Sequence, residues 1–258
     1  MNIYHPGVTR DREPPAYDPA AYPAVAVAVD IVVLTIRERE LQVLLIERGE
    51  EPHLGSWALP GGFVRPDEAL EAAAARELLE ETGVDAADHI MQFGAYGDPV
   101  RDPRMRVVSI AFLAVVRRIG DIAAGSDARG AALVPVAEVL APPRRGRRRR
   151  HLAFDHERIL ADGVDRAANM LETTSLATAF VGPRFTLAEL REVYEATWRT
   201  PLDPGNFRRK VLSMDGFVEP TEERADPGAE GGKPATLYEA GGTEMLSAPI
   251  QPPRPRHR

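Results

Sequence analysis

Between residues 61 and 84 the chain reads GGFVRPDEALEAAAARELLEETGV, and this stretch constrains the fold more than any other. Its Ala/Leu/Glu-rich middle predicts a long helix, with Asp67 placed to cap the start and Gly83 to close the end. On that helix Glu77, Glu80 and Glu81 stand at i, i+3 and i+4 and so share one face. Like charges so placed repel unless a cation neutralises them. A hard divalent ion such as Mg²⁺ or Mn²⁺ prefers oxygen ligands of this kind and bridges to phosphate oxygens. Leu70, Leu78 and the alanines supply an opposite, core-facing side. Gly61 and Gly62 permit a tight loop that brings backbone groups to the same place. The residues ELLEE alone would read as a solvated acidic face. The full spacing, with Gly62, Glu68 and Arg76 at set distances, makes coincidence a poor explanation.

Around this helix the first half is strand-like. AVAVAVDIVVLTI and LQVLLIER predict two strands joined by a charged turn. The helix follows a Gly/Pro-rich loop, and IMQFGAYG, RVVSIAFLAVVRR and ALVPVAEVL come after it. Strands, one strong helix, then strands again indicate an α+β or mixed α/β sandwich. With 258 residues, 44% of them hydrophobic and 28% charged, the chain suits two medium domains and is not mostly disordered. Cysteine is absent, which excludes disulfides, thiolate zinc sites and a cysteine nucleophile. No apolar run reaches membrane-spanning length and the start has no signal-like apolar core, so a cytoplasmic location with no membrane partner is expected.

The net charge of −7 is unevenly spread. Residues 1–143 hold 13 Lys and Arg against 22 Asp and Glu, whereas residues 144–258 hold 19 against 17. Taken as a whole, an acidic surface should repel nucleic acid and anionic membrane, but it leaves room for a local basic face. The second half begins with PPRRGRRRR at 142–150, and a helix is expected from about 154 to 171. Then FTLAELREVYEATW predicts an amphipathic helix with Thr186 near its start, TPLDPGNF a turn, and NFRRKVLS a second helix. GFVEP and PATLYEA are strand-like. Helix, turn, helix and hairpin outline a winged helix-turn-helix. The Pro/Arg-rich tail, 241–258, is expected to be disordered.

The spacing at 62–84 resembles the Nudix box, with every fixed position filled. The resemblance covers roughly residues 22–143. It implies an α/β/α sandwich and metal-dependent hydrolysis of a nucleoside diphosphate linked to another group. It also implies that Glu80 and Glu81 are the main metal ligands, with Glu77 a further ligand or the base that activates water. Arg76 would orient Glu77, Glu68 would support the metal site, and Gly62 or Gly61 would donate a carbonyl. Pro99, fifteen residues after Val84, resembles the ADP-ribose-hydrolysing branch. Arg101 and Arg104, with Arg106 and Arg48, are candidate substrate contacts. Trp57 and Phe63 are candidates to stack on adenine, and each could equally be core.

The whole chain resembles the Nudix-related transcriptional regulators of NAD metabolism, through LAFDHERIL, LETTSLATAF and FTLAELREVYEATW…LDPGNFRRKVLS…GFVEP. That resemblance implies an ADP-ribose-sensing domain followed by a winged helix that binds operator DNA as a homodimer. The expected units are an arm 1–21, a Nudix domain 22–143, a basic loop and connecting helix 144–172, a winged domain 173–240 and the tail. Asn206, Arg208, Arg209 and Lys210 fall on the recognition helix, where they can reach phosphates or guanine edges. Phe207, Val211 and Leu212 would face the small domain's core. Residues 174–220 balance six basic against six acidic residues, so the argument rests on clustering and not on net charge. The arginines of 144–150 can grip DNA phosphates or be a solvated loop. The competing reading is a plain Nudix hydrolase whose C-terminal domain dimerises. An enzyme acting on oxidised nucleotides would leave the winged half without a role. The Asp155-His156 pair reads as a helix cap with an exposed histidine.

Overall fold

The computed structural model describes residues 18, 21–85, 90–117, 119, 128–140, 150–225 and 234–253. The expected arm (apart from residues 18 and 21) and the loop arginines 144–149 lie outside the described residues.

Two long strands, β1 (Ala26–Arg37) and β2 (Glu40–Arg48), pair antiparallel around a two-residue turn, as their β-branched runs require. Short β3 (Trp57–Ala58) and β4 (Gly61–Phe63) lead into helix α1 (Leu70–Thr82). Then come β5 (Ile90–Tyr96), β6 (Val107–Val115), β7 (Ala128–Pro135) and the short α2 (Val136–Leu140). The main sheet runs β3-β2-β1-β6-β5, with β4 beside β1 and β7 beside β2. Its centre is the parallel pairing of β1 with β6, from Ala26 opposite Val107 to Leu34 opposite Val115.

Alternation along β1 divides the core. Val29, Ile31 and Val33 point to α1 and pack with Ala73, Ala74, Leu78 and Phe112. Val32 and Leu34 point the other way, to a second apolar layer that includes Ile159 and Leu160. That layer is helix α3 (His156–Thr173). A Cβ on its Gly163 would lie 2.9 Å from Val32, so only glycine allows the helix to sit this close to the strand. The helix expected as a connector also packs on the sheet. It completes the sandwich, because a sheet buried on both faces needs a second covering helix.

A 3-10 helix (Ser175–Phe180) continues the chain into α4 (Leu187–Trp198). Thr186 and Glu189 form a full capping box at the start of α4. Asp203 caps α5 (Pro204–Leu212) through the amide of Asn206, and Pro204 fits the first turn, where no N–H partner exists. Strands β8 (Val218–Arg224) and β9 (Thr236–Ala240) pair antiparallel as the wing. Tyr194 lies 5.4 Å edge-on from Phe207 and, with Val211 and Phe217, fills the small core. Leu212, expected inside, is 44% exposed, because the turn that buries Phe207 and Val211 carries it to the outer face.

The tail also differs from expectation. Residues 241–253 lie against the end of α3: the amides of Leu246 and Ile250 donate to the carbonyls of Thr173 and Glu172, at 2.8 and 2.9 Å, and Ile250 is buried. A single well-placed apolar residue in a Pro-rich stretch is enough to seat it. No helix among the described residues is long and apolar enough to cross a membrane.

Candidate functional site

The acidic helix face is organised by one cation. Arg76 reaches both oxygens of Glu68, at 2.9 Å from Nε and 2.6 Å from Nη2. Its Nη1 donates to Glu77 at 2.7 Å and to Glu80 at 3.1 Å. Glu68 also accepts from the Arg65 amide, and these bonds hold its carboxyl well below the usual range, at about 2. The helix start is consequently not capped by Asp67. The N-cap is Ala69, without a side-chain cap, and Glu68 turns instead to Arg76 and Arg65. Glu81 accepts from the Gly61 amide at 2.9 Å. Glu77 lies so close to Gly62 that a Cβ there would fall 2.4 Å from its carboxylate. Both glycines of the loop are thus shaped around carboxylates of α1.

The donor set tests whether a divalent cation fits. Carboxylate and carbonyl oxygens suit a hard cation in chemistry. In the arrangement seen, Glu68, Glu77 and Glu80 are drawn to Arg76. Among the described residues no three His, Cys, Asp or Glu side chains converge as a ready cation cage. The expected metal set (Gly62, Glu68, Glu77, Glu80 and Glu81) shares one region without being gathered on one point, because the Arg76 guanidinium already neutralises three of its members.

On the sheet side, Gly61, Gly62 and Phe63 border a narrow cleft with Asp30, Arg48, Arg101, Arg104, Phe154 and His156. It encloses about 60 Å³, against the roughly 300 Å³ or more usual for ligand clefts. Arg101 forms its floor with a side chain only 5% exposed. Its Nη2 lies 3.0 Å from Asp30 and 2.7 Å from Asp155, and its Nε also meets Asp155. Arg101 thus holds two carboxylates, whereas the sequence suggested a substrate contact. Arg104 is paired with Asp102 at 2.7 Å but is 42% exposed and lies 5.5 Å from the centre of the Phe63 ring. Arg48 donates to the Pro52 carbonyl at 2.9 Å and stacks 4.9 Å over Phe154. Burial first, then the charge of Arg104, lowers its pKa. Trp57 does not border the cleft; its ring lies 5.0 Å from the Arg150 guanidinium. Arg106 binds the Asp98 carbonyl at 3.2 Å, and Pro99 sits in the exposed loop nearby.

Sequence reasoning missed the buried polar centre. Asp30 accepts from Arg101 and Ser109 and lies 3.3 Å from His156 Nε2. His156 is buried, not exposed as expected. Its Nδ1 accepts the Leu59 amide at 3.0 Å, which assigns the ring proton to Nε2 and makes the imidazole neutral. Burial lowers its pKa, and Arg101 adds to this while Asp30 opposes it. The available signal was a lone acid, Asp30, inside an otherwise apolar strand. Asp155 and His156 stand at the start of α3, so this helix begins in the cleft.

At the other end of the molecule, α5 carries Asn206, Arg208 and Arg209 exposed and Lys210 half-buried. Arg209 donates to Asn206. Among the described residues none of the three cations is in an ion pair.

Residues 25–154 match the model of the NUDIX domain, and residues 177–240 match that of the NrtR DNA-binding winged helix domain. The chain is 32% identical over 224 residues to an ADPR responsive transcriptional repressor NtrR of Acinetobacter baylyi, covering 86% of this chain and 84% of that one. It is 40% identical over 137 residues to an ADP-ribose pyrophosphatase of Methanocaldococcus jannaschii, covering 53% of this chain and 72% of that one. The crystal structure of Shewanella oneidensis NrtR complexed with a 27mer DNA superposes with a TM-score of 0.71 at 29% identity, over 87% of this chain and 99% of that one.

Proposed function

The chain belongs to the Nudix family, and from that premise we propose that it is an ADP-ribose-responsive transcriptional regulator of NAD metabolism. The Nudix cleft would take the ligand, and α5 would enter the operator as the recognition helix of a homodimer. The observation that carries this reading is the course of α3. It starts at Asp155 and His156 in the cleft, covers the sheet, and ends against the winged domain's first turns. One rigid element therefore touches both the sensor and the reader.

The cleft is narrow as it stands, so a nucleoside diphosphate would enter as Arg48, Arg104 and Phe63 move apart. Phe63 and Phe154 offer rings for the adenine, and Arg104 and Arg48 offer charge for the diphosphate. Arg101, fixed by Asp30 and Asp155, would position the floor.

Membership of the family also supports hydrolysis of the ligand. A divalent ion, Mg²⁺ or Mn²⁺, would be held by Glu80 and Glu81 with Glu77 and the Gly62 carbonyl. When bound it would polarise the pyrophosphate and lower the pKa of an attacking water. Arg76 would hold Glu77 and Glu68 in position. The acidic helix face, complete in all its carboxylates, favours retained hydrolysis beside regulation.

Gel shift with the upstream region of an NAD-biosynthesis gene, at two salt concentrations, tests the proposal. A shift specific to that region is expected. No shift, or one blind to sequence, would refute DNA reading. Incubation with ADP-ribose and Mg²⁺ should release AMP and ribose 5-phosphate, and unchanged activity in Glu80→Gln/Glu81→Gln would show that the site is misplaced.

A further inference from the structure

Helix α5 presents its residues in a fixed order around its axis. Phe207 and Val211 are buried and mark the side packed on the small core. Each residue turns the helix by about 100°, so Arg209, midway between them in sequence, stands on the opposite side. Arg208 is turned to the wing, where it borders a groove with Arg224 and Thr236. Lys210 borders a groove with Pro249 and Pro253 of the docked tail. Arg209 therefore stands at the centre of the exposed face, with one cation on each flank.

Arg209 has a partner on the preceding turn. Its Nη2 donates to Oδ1 of Asn206. A guanidinium can only donate, so the pairing fixes the amide: Oδ1 faces Arg209 and Nδ2 faces away. Asn206 is itself set by the cap of α5, since its backbone N–H donates to the Asp203 carboxylate at 2.8 Å. The bond uses one N–H of the guanidinium and leaves it a two-pronged donor edge. What the pair offers outward is therefore N–H donors.

That pair is a chemical filter. In the major groove guanine shows two acceptors, N7 and O6. Adenine shows an acceptor and an N–H donor, cytosine an N–H donor, and thymine one acceptor beside a methyl group. An asparagine on its own reads adenine, accepting from N6 and donating to N7. Asn206 is barred from this, because its accepting oxygen lies against a cation that repels a further N–H. We infer that Arg209 and Asn206 act as one donor-only reading head that selects guanine and rejects adenine, while Arg208 and Lys210 hold phosphates on either side. The N-terminal residues of a recognition helix are the ones that meet base edges, and both residues lie in the first two turns of α5. The charge of Arg209, carried into the groove, still releases counterions, so base preference and not salt dependence separates it from its neighbours. This inference rests on the reading that α5 docks on operator DNA.

The probe is the upstream duplex shifted by the full chain, with each base pair replaced in turn by the other three. With the full chain, one position in each half-site should demand guanine, and adenine there should weaken binding by about tenfold or more. Arg209→Ala frees the Asn206 amide, so the preference at that position should move from guanine to adenine. The double variant Asn206→Ala/Arg209→Ala should show neither preference. Arg208→Ala and Lys210→Ala should each weaken binding by a similar factor on every duplex and keep the demand for guanine. Operator binding by Arg209→Ala with every base preference of the full chain intact would overturn the reading head and leave the α5 reading standing. A guanine preference lost with no gain for adenine would overturn the part given to Asn206. Failure of the full chain to prefer the upstream duplex over a scrambled one would overturn the α5 reading, and the reading head with it.

Discussion

Arg101 and Arg209 both stand where a sequence reading places a phosphate contact, and their surroundings are opposite. Arg101 is 5% exposed and holds Asp30 and Asp155 in the floor of the cleft. Arg209 is exposed on α5, where its guanidinium donates to the neutral side chain of Asn206. The Nudix half uses its cations as internal counterions: Arg76 for three glutamates, Arg101 for two aspartates, Arg104 for Asp102. In the winged half Arg184 and Arg191 are paired with Glu223 and Glu195, whereas among the described residues Arg208, Arg209 and Lys210 of α5 are in no ion pair. A buried cation that loses its carboxylates is costly, so it organises a site; an exposed one is already solvated and can exchange water for phosphate cheaply. The acidic average of the first half and the near-neutral average of the second conceal this difference.

Substitutions test this contrast directly. The largest effect is expected from Arg101→Ala, which strands two carboxylates at the cleft floor. Thermal or urea unfolding should show a loss of about 3–5 kcal/mol. A loss below about 1 kcal/mol would place Arg101 with the exposed cations. Next, Glu80→Gln/Glu81→Gln should cut hydrolysis of ADP-ribose by about 100-fold or more while circular dichroism stays unchanged. Arg209→Ala/Lys210→Ala should then leave stability within about 0.5 kcal/mol of the parent. It should also lower the salt slope of operator binding by about 2. A large stability loss here would mean that α5 uses its cations as the cleft does.

The smallest effect concerns His156, and its sign follows from burial. Its folded pKa is lowered, so below the ordinary histidine value of about 6.5 the unfolded chain takes a proton that the folded chain refuses. Stability from this group is therefore full above that pH. It declines as pH falls toward the lowered folded value, by at most about 1.4 kcal/mol per pH unit. The groups facing the ring are Asp30, Asp155, Arg101 and Arg48. His156→Gln keeps an acceptor for the Leu59 amide and a donor for Asp30. It should flatten this stretch of the pH–stability curve, and a curve of undiminished slope would assign the protons elsewhere.

Local pattern carried much of the fold. The carboxylate spacing on α1, the two β-branched runs and the capping residues Thr186 and Asp203 all act within a few residues of themselves, and each is visible along the chain. What stayed hidden depends on distant partners. Asp30 meets Arg101 and His156 only because β1 pairs with β6 and α3 begins beside them. The role of α3 as a sandwich layer turns on Gly163 fitting Val32, a pairing that periodicity does not encode. The tail's composition suggested disorder, yet Ile250 is buried and its amide donates to the Glu172 carbonyl at the end of α3. Arginines near the cleft were countable in the sequence, but whether they were free or engaged was not.

The central claim is that the cleft and α5 are coupled through α3, and operator affinity measured with and without saturating ADP-ribose tests it most directly. Saturating ADP-ribose should change operator affinity by at least about fivefold, within the usual range of coupling between sites. ADP-ribose bound to the protein, with operator affinity unchanged, would contradict it.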